Sequence, residues 1–297
     1  MATERILLVV NPLSGKGRGF QDSVVLEKLL AEANIEVSVL TTQYAGHAID
    51  YLKNEALDEV TSICGIGGDG TIHEVVNGLM QREDSSRLSL AVVPAGTGNS
   101  LAAHAEMHTA LDAARRIVMK KTTALDVLEV RCKGEKYYCI NLVGWGAAAE
   151  ITRIAEQLRW MGKTRYSLAA ISQIALPKRI TTRLQLDEKV IEEELVFVVA
   201  CNTKYGGYRM MLSPDARTDN GLMDVIVLRS TSRWNLLRGL WGIADGSHLN
   251  IRDFELYQVS EMKLDVEWSR SLTLDGEVSG TSPFEVSVLP GALKWFC

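Results

Sequence analysis

No run of about 18 consecutive apolar residues occurs in the 297-residue sequence, so no transmembrane helix is expected. Basic residues show no excess either. Lys and Arg total 32 against 37 Asp and Glu, a net charge of -5. A nucleic-acid reader would carry a basic stripe or surplus, so no nucleic-acid partner is expected. Cysteine is scarce and scattered: Cys64, Cys132, Cys139, Cys201 and Cys297 are odd in number and never spaced C-x-x-C. That argues against a disulfide framework or a zinc site and fits a reducing compartment. The opening residues run straight into a short apolar stretch at 6–10, too short for a signal-peptide core and without a small-residue cleavage site. The expectation is a cytoplasmic protein. Internal repeats and low-complexity tracts are absent as well.

What is present is an ordinary globular composition, 46% hydrophobic and 23% charged, in a chain long enough for two domains at roughly 150 residues each. Up to about residue 124, short apolar runs at 6–10, 36–40, 62–66 and 88–93 alternate with helical patterns at 22–33, 46–57 and from 73 to 80. That alternation predicts an α/β domain with a parallel sheet, whose ligands bind at the carboxyl ends of the strands. From about residue 125 the rhythm changes to strand patterns at 126–131, 137–143, 182–186, 194–201, 223–228, 261–266, 271–274 and 284–289. Helical interruptions fall at 152–175 and 232–243. The second half, 125–297, reads as a mainly antiparallel β-sandwich, and its last strand could return to the first domain.

Three turns follow strands in the first half. Asn11-Pro12-Leu13-Ser14-Gly15-Lys16-Gly17 lacks the spacing of a Walker A loop, yet offers backbone N–H groups, a hydroxyl and an ammonium to a phosphate. Its plain alternative is a polar turn. Gly65-Ile66-Gly67-Gly68-Asp69-Gly70-Thr71 leads into a helix, whose N-terminus is suited to an anion. Asp69 would repel phosphate unless it works with Mg²⁺ or takes a proton from an attacking hydroxyl. Gly65, Gly67 and Gly70 also fit G-x-G-x-x-G, which keeps a nicotinamide-dependent oxidoreductase as an alternative. Against it, Glu83 and Asp84 precede the next strand instead of ending it. The third turn is Pro94-Ala95-Gly96-Thr97-Gly98-Asn99-Ser100, where Asn99 and Ser100 can also cap the following helix. Three such turns at one end of one sheet would line one crevice.

These residues resemble the catalytic domain of the diacylglycerol kinase and sphingosine kinase superfamily. The resemblance is carried by Gly67-Gly68-Asp69-Gly70-Thr71, Glu74-Val75-Val76-Asn77-Gly78, Pro94-Ala95-Gly96-Thr97-Gly98-Asn99 and the opening Asn11-Pro12-x-Ser14-Gly15. The stretch from His73 to Met80 and the segments Gly144-Trp145-Gly146 and Arg159-Trp160-Met161-Gly162 to Arg165-Tyr166 look most like sphingosine kinases. The shortness of the chain is more like compact bacterial lipid kinases.

The resemblance implies ATP and Mg²⁺ as cofactors and a lipid hydroxyl as acceptor. The enzyme would be peripheral on membranes, and a homodimer is possible. It implies that Asn11, Ser14, Gly15, Thr42, Gly67, Gly68, Asp69, Gly70, Thr71, Glu74, Gly96, Thr97, Asn99 and Glu277 serve the nucleotide. The catalytic carboxylates would be Asp69, which matches the base of sphingosine kinases, and Asp275 of Asp275-Gly276-Glu277, which matches the base of bacterial diacylglycerol kinases. The expectation is that Asp275 deprotonates the lipid hydroxyl while Asp69 organises Mg²⁺ through ATP. Asp275-Gly276 alone would read as a hairpin turn. Glu150 matches a head-group carboxylate, or is a solvated glutamate at a helix start. A structural Mg²⁺ loop would involve Arg217, Asn220 and Leu222, but Asn220 stands where a carboxylate is expected, which predicts weak or absent binding. Trp234, Leu237 and Trp241, with Arg233 and Arg238, fit either a membrane-facing helix or one packed on the sandwich. An NAD kinase and a catalytically silent lipid or nucleotide sensor remain alternatives.

Overall fold

The computed structural model describes residues 4–84, 88–175, 177–207 and 210–297. The side chains of Arg159, Trp160 and Lys163, the first two quoted in the family resemblance, lie outside the described residues. The chain forms two compact units, Met1–Val127 with Pro290–Cys297, and Leu128–Leu289.

The first unit is built from β1 (Arg5–Val10), α1 (Arg18–Glu32), β2 (Glu36–Thr41), α2 (His47–Asn54), β3 (Ser62–Gly67), α3 (Asp69–Met80), β4 (Ser89–Pro94), α4 (Ser100–His104), α5 (Ala110–Met119) and the start of β5 (Thr122–Cys132). Neighbouring strands β4-β3-β1-β2 are all parallel, in that spatial order. Residues 6–10 and all of β3 are buried, as expected for strands covered on both faces. Lys294 and Trp295 of the last strand pair parallel with Ser89 and Leu90 on the far side of β4. The helix expected from residue 73 begins four residues earlier, at Asp69, with Gly68 as its N-cap. An acidic residue in the first turn complements the helix dipole, and Asp69 supplies it.

The second unit contains β6 (Glu135–Cys139), β7 (Leu142–Gly146), α6 (Ala147–Gln157), α7 (Arg165–Ala175), β8 (Ile180–Leu186), β9 (Lys189–Cys201), β10 (Met223–Arg229), α8 (Arg233–Gly242), β11 (Phe254–Val259), β12 (Glu261–Asp265), β13 (Ser271–Leu274), β14 (Glu277–Thr281) and the first part of β15 (Phe284–Phe296). Every pairing with a defined register in this unit is antiparallel. Central β9 pairs with β7, β8 and β10, and its alternating side chains feed two cores. Leu195, Val198 and Ala200 join the core lined by Trp145, Leu184 and Leu264, whereas Val196, Val199 and Cys201 join Leu236 and Phe254.

Three expectations need correction here. The run at 137–143 is two strands, interrupted at Ile140 and Asn141, whose N–H groups bond a side chain instead of a neighbouring strand. The helix expected over 152–175 is α6 and α7, separated by a 3-10 segment in which Gly162 has φ 62°. Strands β11 and β14 were not anticipated.

Candidate functional site

The carboxyl ends of β1, β3 and β4 lie side by side, and the turns that follow them interlock. Asn11 donates its backbone N–H to Ile66 O at 3.0 Å, and its Nδ2 donates to Thr71 Oγ1 at 3.2 Å. The first turn is thereby fixed to the second. Gly15 has φ 57°, and a Cβ there would run into the carbonyl oxygen of Ala95, so the first turn also rests on the third. Gly68 and Gly96 meet backbone to backbone, where a Cβ on Gly96 would collide with Gly68 Cα. Ala95 N–H donates to Gly67 O at 2.9 Å, completing the contact of second and third turns.

Asp69 sits at the centre of this cluster. Its Oδ1 accepts the Ser100 N–H at 2.6 Å, which ties the first residue of α3 to the first residue of α4. Asn99, at φ 55°, closes its own turn: Oδ1 accepts from Gly96 N at 2.9 Å and Nδ2 donates to Gly96 O at 2.8 Å. Gly70 lies in the first turn of α3 and Thr97 is exposed at the tip of the third turn. Ser14 and Thr42 are at the same sheet end. Ser14 N–H donates to Asn11 O at 3.2 Å, and Thr42 N–H to Val10 O at 2.9 Å. Glu74 is engaged at the start of α2. Its carboxylate accepts the N–H groups of Gly46 at 2.9 Å and Ala48 at 3.3 Å, capping α2.

In the second unit, Asp275 and Gly276 form the two-residue turn between β13 and β14, with φ 52° and 94°, both positive as in the tightest hairpins. The Asp275 side chain is buried and accepts three consecutive backbone N–H groups. Oδ2 takes Ile140 at 2.9 Å, and Oδ1 takes Asn141 at 2.7 Å and Leu142 at 3.0 Å. The hairpin turn is therefore also the anchor of the β6–β7 connection. Glu277 is exposed at the start of β14.

Residues 5–130 match the diacylglycerol kinase catalytic domain, and residues 141–297, more than half the chain, match the YegS C-terminal NAD kinase beta sandwich-like domain. The chain belongs to the diacylglycerol kinase and YegS lipid-kinase family. A sphingosine kinase 1 of Arabidopsis thaliana is 25% identical, the alignment covering 83% of this chain and 61% of that protein. The diacylglycerol kinase of Bacillus subtilis is 28% identical over 95% of this chain and 92% of its own length. A crystal structure of a diacylglycerol kinase candidate from Bacillus anthracis superposes with TM-score 0.84 at 26% identity, covering 100% of this chain and 96% of the other. The chain thus spans about three fifths of the plant sphingosine kinase and nearly all of the bacterial relatives.

Four further positions singled out by the lipid-kinase resemblance, Glu150, Arg217, Asn220 and Leu222, are engaged locally. Glu150 lies in the first turn of α6 and is ion-paired with Arg153, whose Nη2 is 2.8 Å from Oε2. Asn220 Oδ1 accepts the Leu222 N–H at 3.1 Å, and Arg217 binds the Asp219 carboxylate at 3.0 and 3.3 Å. Among the described residues, no three His, Cys, Asp or Glu side chains converge as a metal cage. Sequence reasoning missed Ser100 as the partner of Asp69, Ala95 as the seat of Gly15, and residues 140–142 as the cradle of Asp275. Only the first had a signal, the helix-start chemistry of Asn99-Ser100.

Proposed function

We propose that this chain is an ATP-dependent kinase that phosphorylates a hydroxyl group of a neutral glycerolipid or a sphingoid lipid. The observation that carries the reading is the interlocking of three turns around Asp69 at the carboxyl end of a parallel sheet. Backbone N–H groups at the start of α3 and at Thr97 and Gly98 of the third turn suit the phosphates of a nucleotide, at the end of the sheet where such ligands bind. Their packing on one another supplies the preorganisation that in-line phosphoryl transfer depends on.

The donor set fits Mg²⁺ carried in with the nucleotide. A single carboxylate is enough for that ion when phosphates and water fill the remaining positions. Asp69 would hold it, and the ion would neutralise phosphate charge. Asp69 also fixes the third turn through Ser100, so its charge and its position are two separable contributions. Asp275 is proposed to accept the proton of the lipid hydroxyl, and its three amide donors supply a fixed orientation.

Glu150 is the group that separates the two acceptor classes. A sphingoid amine would pair with its carboxylate in exchange for the weakly held, exposed Arg153, whereas a diacylglycerol or monoacylglycerol needs no counter-charge. Mg²⁺-ATP turnover in mixed micelles with diacylglycerol, monoacylglycerol, sphingosine and ceramide, with NAD in a separate reaction, tests the reading by product mass. Phosphorylated glycerolipid is expected. Phosphorylated sphingosine, lost in Glu150→Gln, would move the acceptor to the amine class. Phosphorylated NAD and no lipid product would overturn the lipid-kinase reading.

A further inference from the structure

Helix α8 displays a stripe that the second unit's core does not use. Its inner face is made of Leu236, Gly239 and Gly242, which seat it on Phe254 and His248; a Cβ at Gly239 would enter the Phe254 ring. Its N-terminus is pinned by Ser232, whose Oγ accepts the Asn235 N–H at 3.2 Å, and by Asp253, which binds Thr231 and Asn235. On the outer face, Trp234, Arg238 and Trp241 follow one another at i, i+4 and i+7 and so share one side of the helix. The two indoles are 67% and 76% exposed. Such rings are expensive to leave in water, and two of them share this face.

The charge beside them identifies the occupant. Arg233 and Arg238 are both exposed and have, among the described residues, no hydrogen-bond or ion-pair partner. Neither α8 nor α7, which packs against it, contains a single acidic residue, in a chain whose net charge is -5. Indole rings settle at the headgroup level of a bilayer, and unpaired arginines are attracted to anionic headgroups.

We propose that the Trp234–Arg238–Trp241 face of α8 docks the protein on an anionic lipid bilayer, lying in the plane of the interface. The inference gives the lipid-kinase reading its route to a bilayer-borne substrate and rests on that reading for its purpose, but not for its test.

Co-sedimentation with vesicles, without nucleotide, measures it. The vesicles are phosphatidylcholine alone or phosphatidylcholine mixed with phosphatidylglycerol. The wild-type chain should bind the anionic vesicles, and less tightly as salt is raised. Trp234→Ala/Trp241→Ala should weaken binding by roughly tenfold or more on the anionic vesicles. Arg233→Gln and Arg238→Gln should each weaken it about fivefold on anionic vesicles, without effect on phosphatidylcholine. Thermal unfolding of all variants should match the wild type, because the replaced side chains are exposed. Equal partitioning of wild type and variants, or no vesicle binding by the wild type, would overturn the proposal. So would loss of self-association in the tryptophan variant with vesicle binding unchanged, which would assign the face to a second copy of the chain. Detergent-micelle turnover separates the two ideas. Micellar turnover without α8-dependent vesicle binding sinks the docking surface alone, and vesicle binding without any phosphorylated lipid sinks the kinase reading alone.

Discussion

The Asp69 carboxylate accepts the backbone N–H of Ser100 at 2.6 Å, joining the residue that opens α3 to the residue that opens α4. The same carboxylate is the one acidic group in the cluster of three turns, and the proposed function would give it a phosphate-bound cation to hold. Structural and chemical roles therefore meet in one side chain, and substitution can separate them. Asp69→Asn keeps an oxygen for Ser100 and loses the charge. Its stability should stay within about 0.5 kcal/mol of wild type, while turnover falls by about 10²-fold or more. Asp69→Ala loses both, and should unfold more easily by about 1–2 kcal/mol. Thermal melts beside initial rates distinguish the two variants; equal turnover in wild type and Asp69→Asn would contradict the assignment.

Gly15→Ala should damage nucleotide binding through the backbone alone. The new methyl group meets the Ala95 carbonyl at a positive φ, so the first turn must lift off the third, at a cost of about 1–3 kcal/mol. A raised KM for ATP with an unchanged KM for lipid is the expected kinetic signature.

Glu74 is expected to behave differently from its neighbours in the same motif. Because its carboxylate caps α2 through Gly46 and Ala48, Glu74→Ala should cost about 1 kcal/mol of stability and leave the KM for ATP nearly unchanged. A large rise in that KM with an unchanged Tm would instead make Glu74 a nucleotide ligand.

Asp275→Asn places an amide NH₂ where either the Ile140 N–H or the pair from Asn141 and Leu142 now donates. A buried donor facing a donor costs about 1–3 kcal/mol, so loss of activity in this variant must be read beside its melting temperature. If Asp275→Asn kept near-normal turnover while Asp69→Asn lost it, Asp275 would be only the anchor of the β6–β7 connection.

Two groups beneath α8 set a pH dependence of stability. Burial pushes His248 below the usual imidazole range, and the Thr231 hydroxyl and Asn235 amide hold Asp253 below the usual carboxylate range. In both cases the unfolded chain binds a proton more readily than the folded one. The stabilisation is complete above the unfolded values, about 6.5 and about 3.9, and is lost as pH falls through the lower folded values. Denaturant midpoints should decline from neutral pH toward about pH 5, and His248→Phe should flatten that decline. A flat wild-type profile over this range would contradict the role of His248.

How much of this was legible in the sequence depended on whether the signal was local. The alternation of apolar runs with helical patterns before residue 124 gave the parallel α/β unit, because β1 and β3 are buried on both faces. The glycine-rich turns were visible for the same reason, since their chemistry lies within a few residues. Strand β11 escaped because its burial does not alternate: Phe254 and Val259 are buried while Leu256 is exposed. Strand β14, Glu277–Thr281, contains a single large apolar residue, Val278, and so carries almost no periodic signal. Contacts such as Asp275 with Asn141, 134 residues apart, have no local trace at all.

The central claim is tested most directly by one rate: formation of phosphorylated lipid from Mg²⁺-ATP and diacylglycerol in mixed micelles, compared between wild type and folded Asp69→Asn. The account predicts phosphatidic acid from the wild type and a loss of about 10²-fold or more in the variant. Absence of any phosphorylated lipid from the wild type across the glycerolipid and sphingoid acceptors would contradict it.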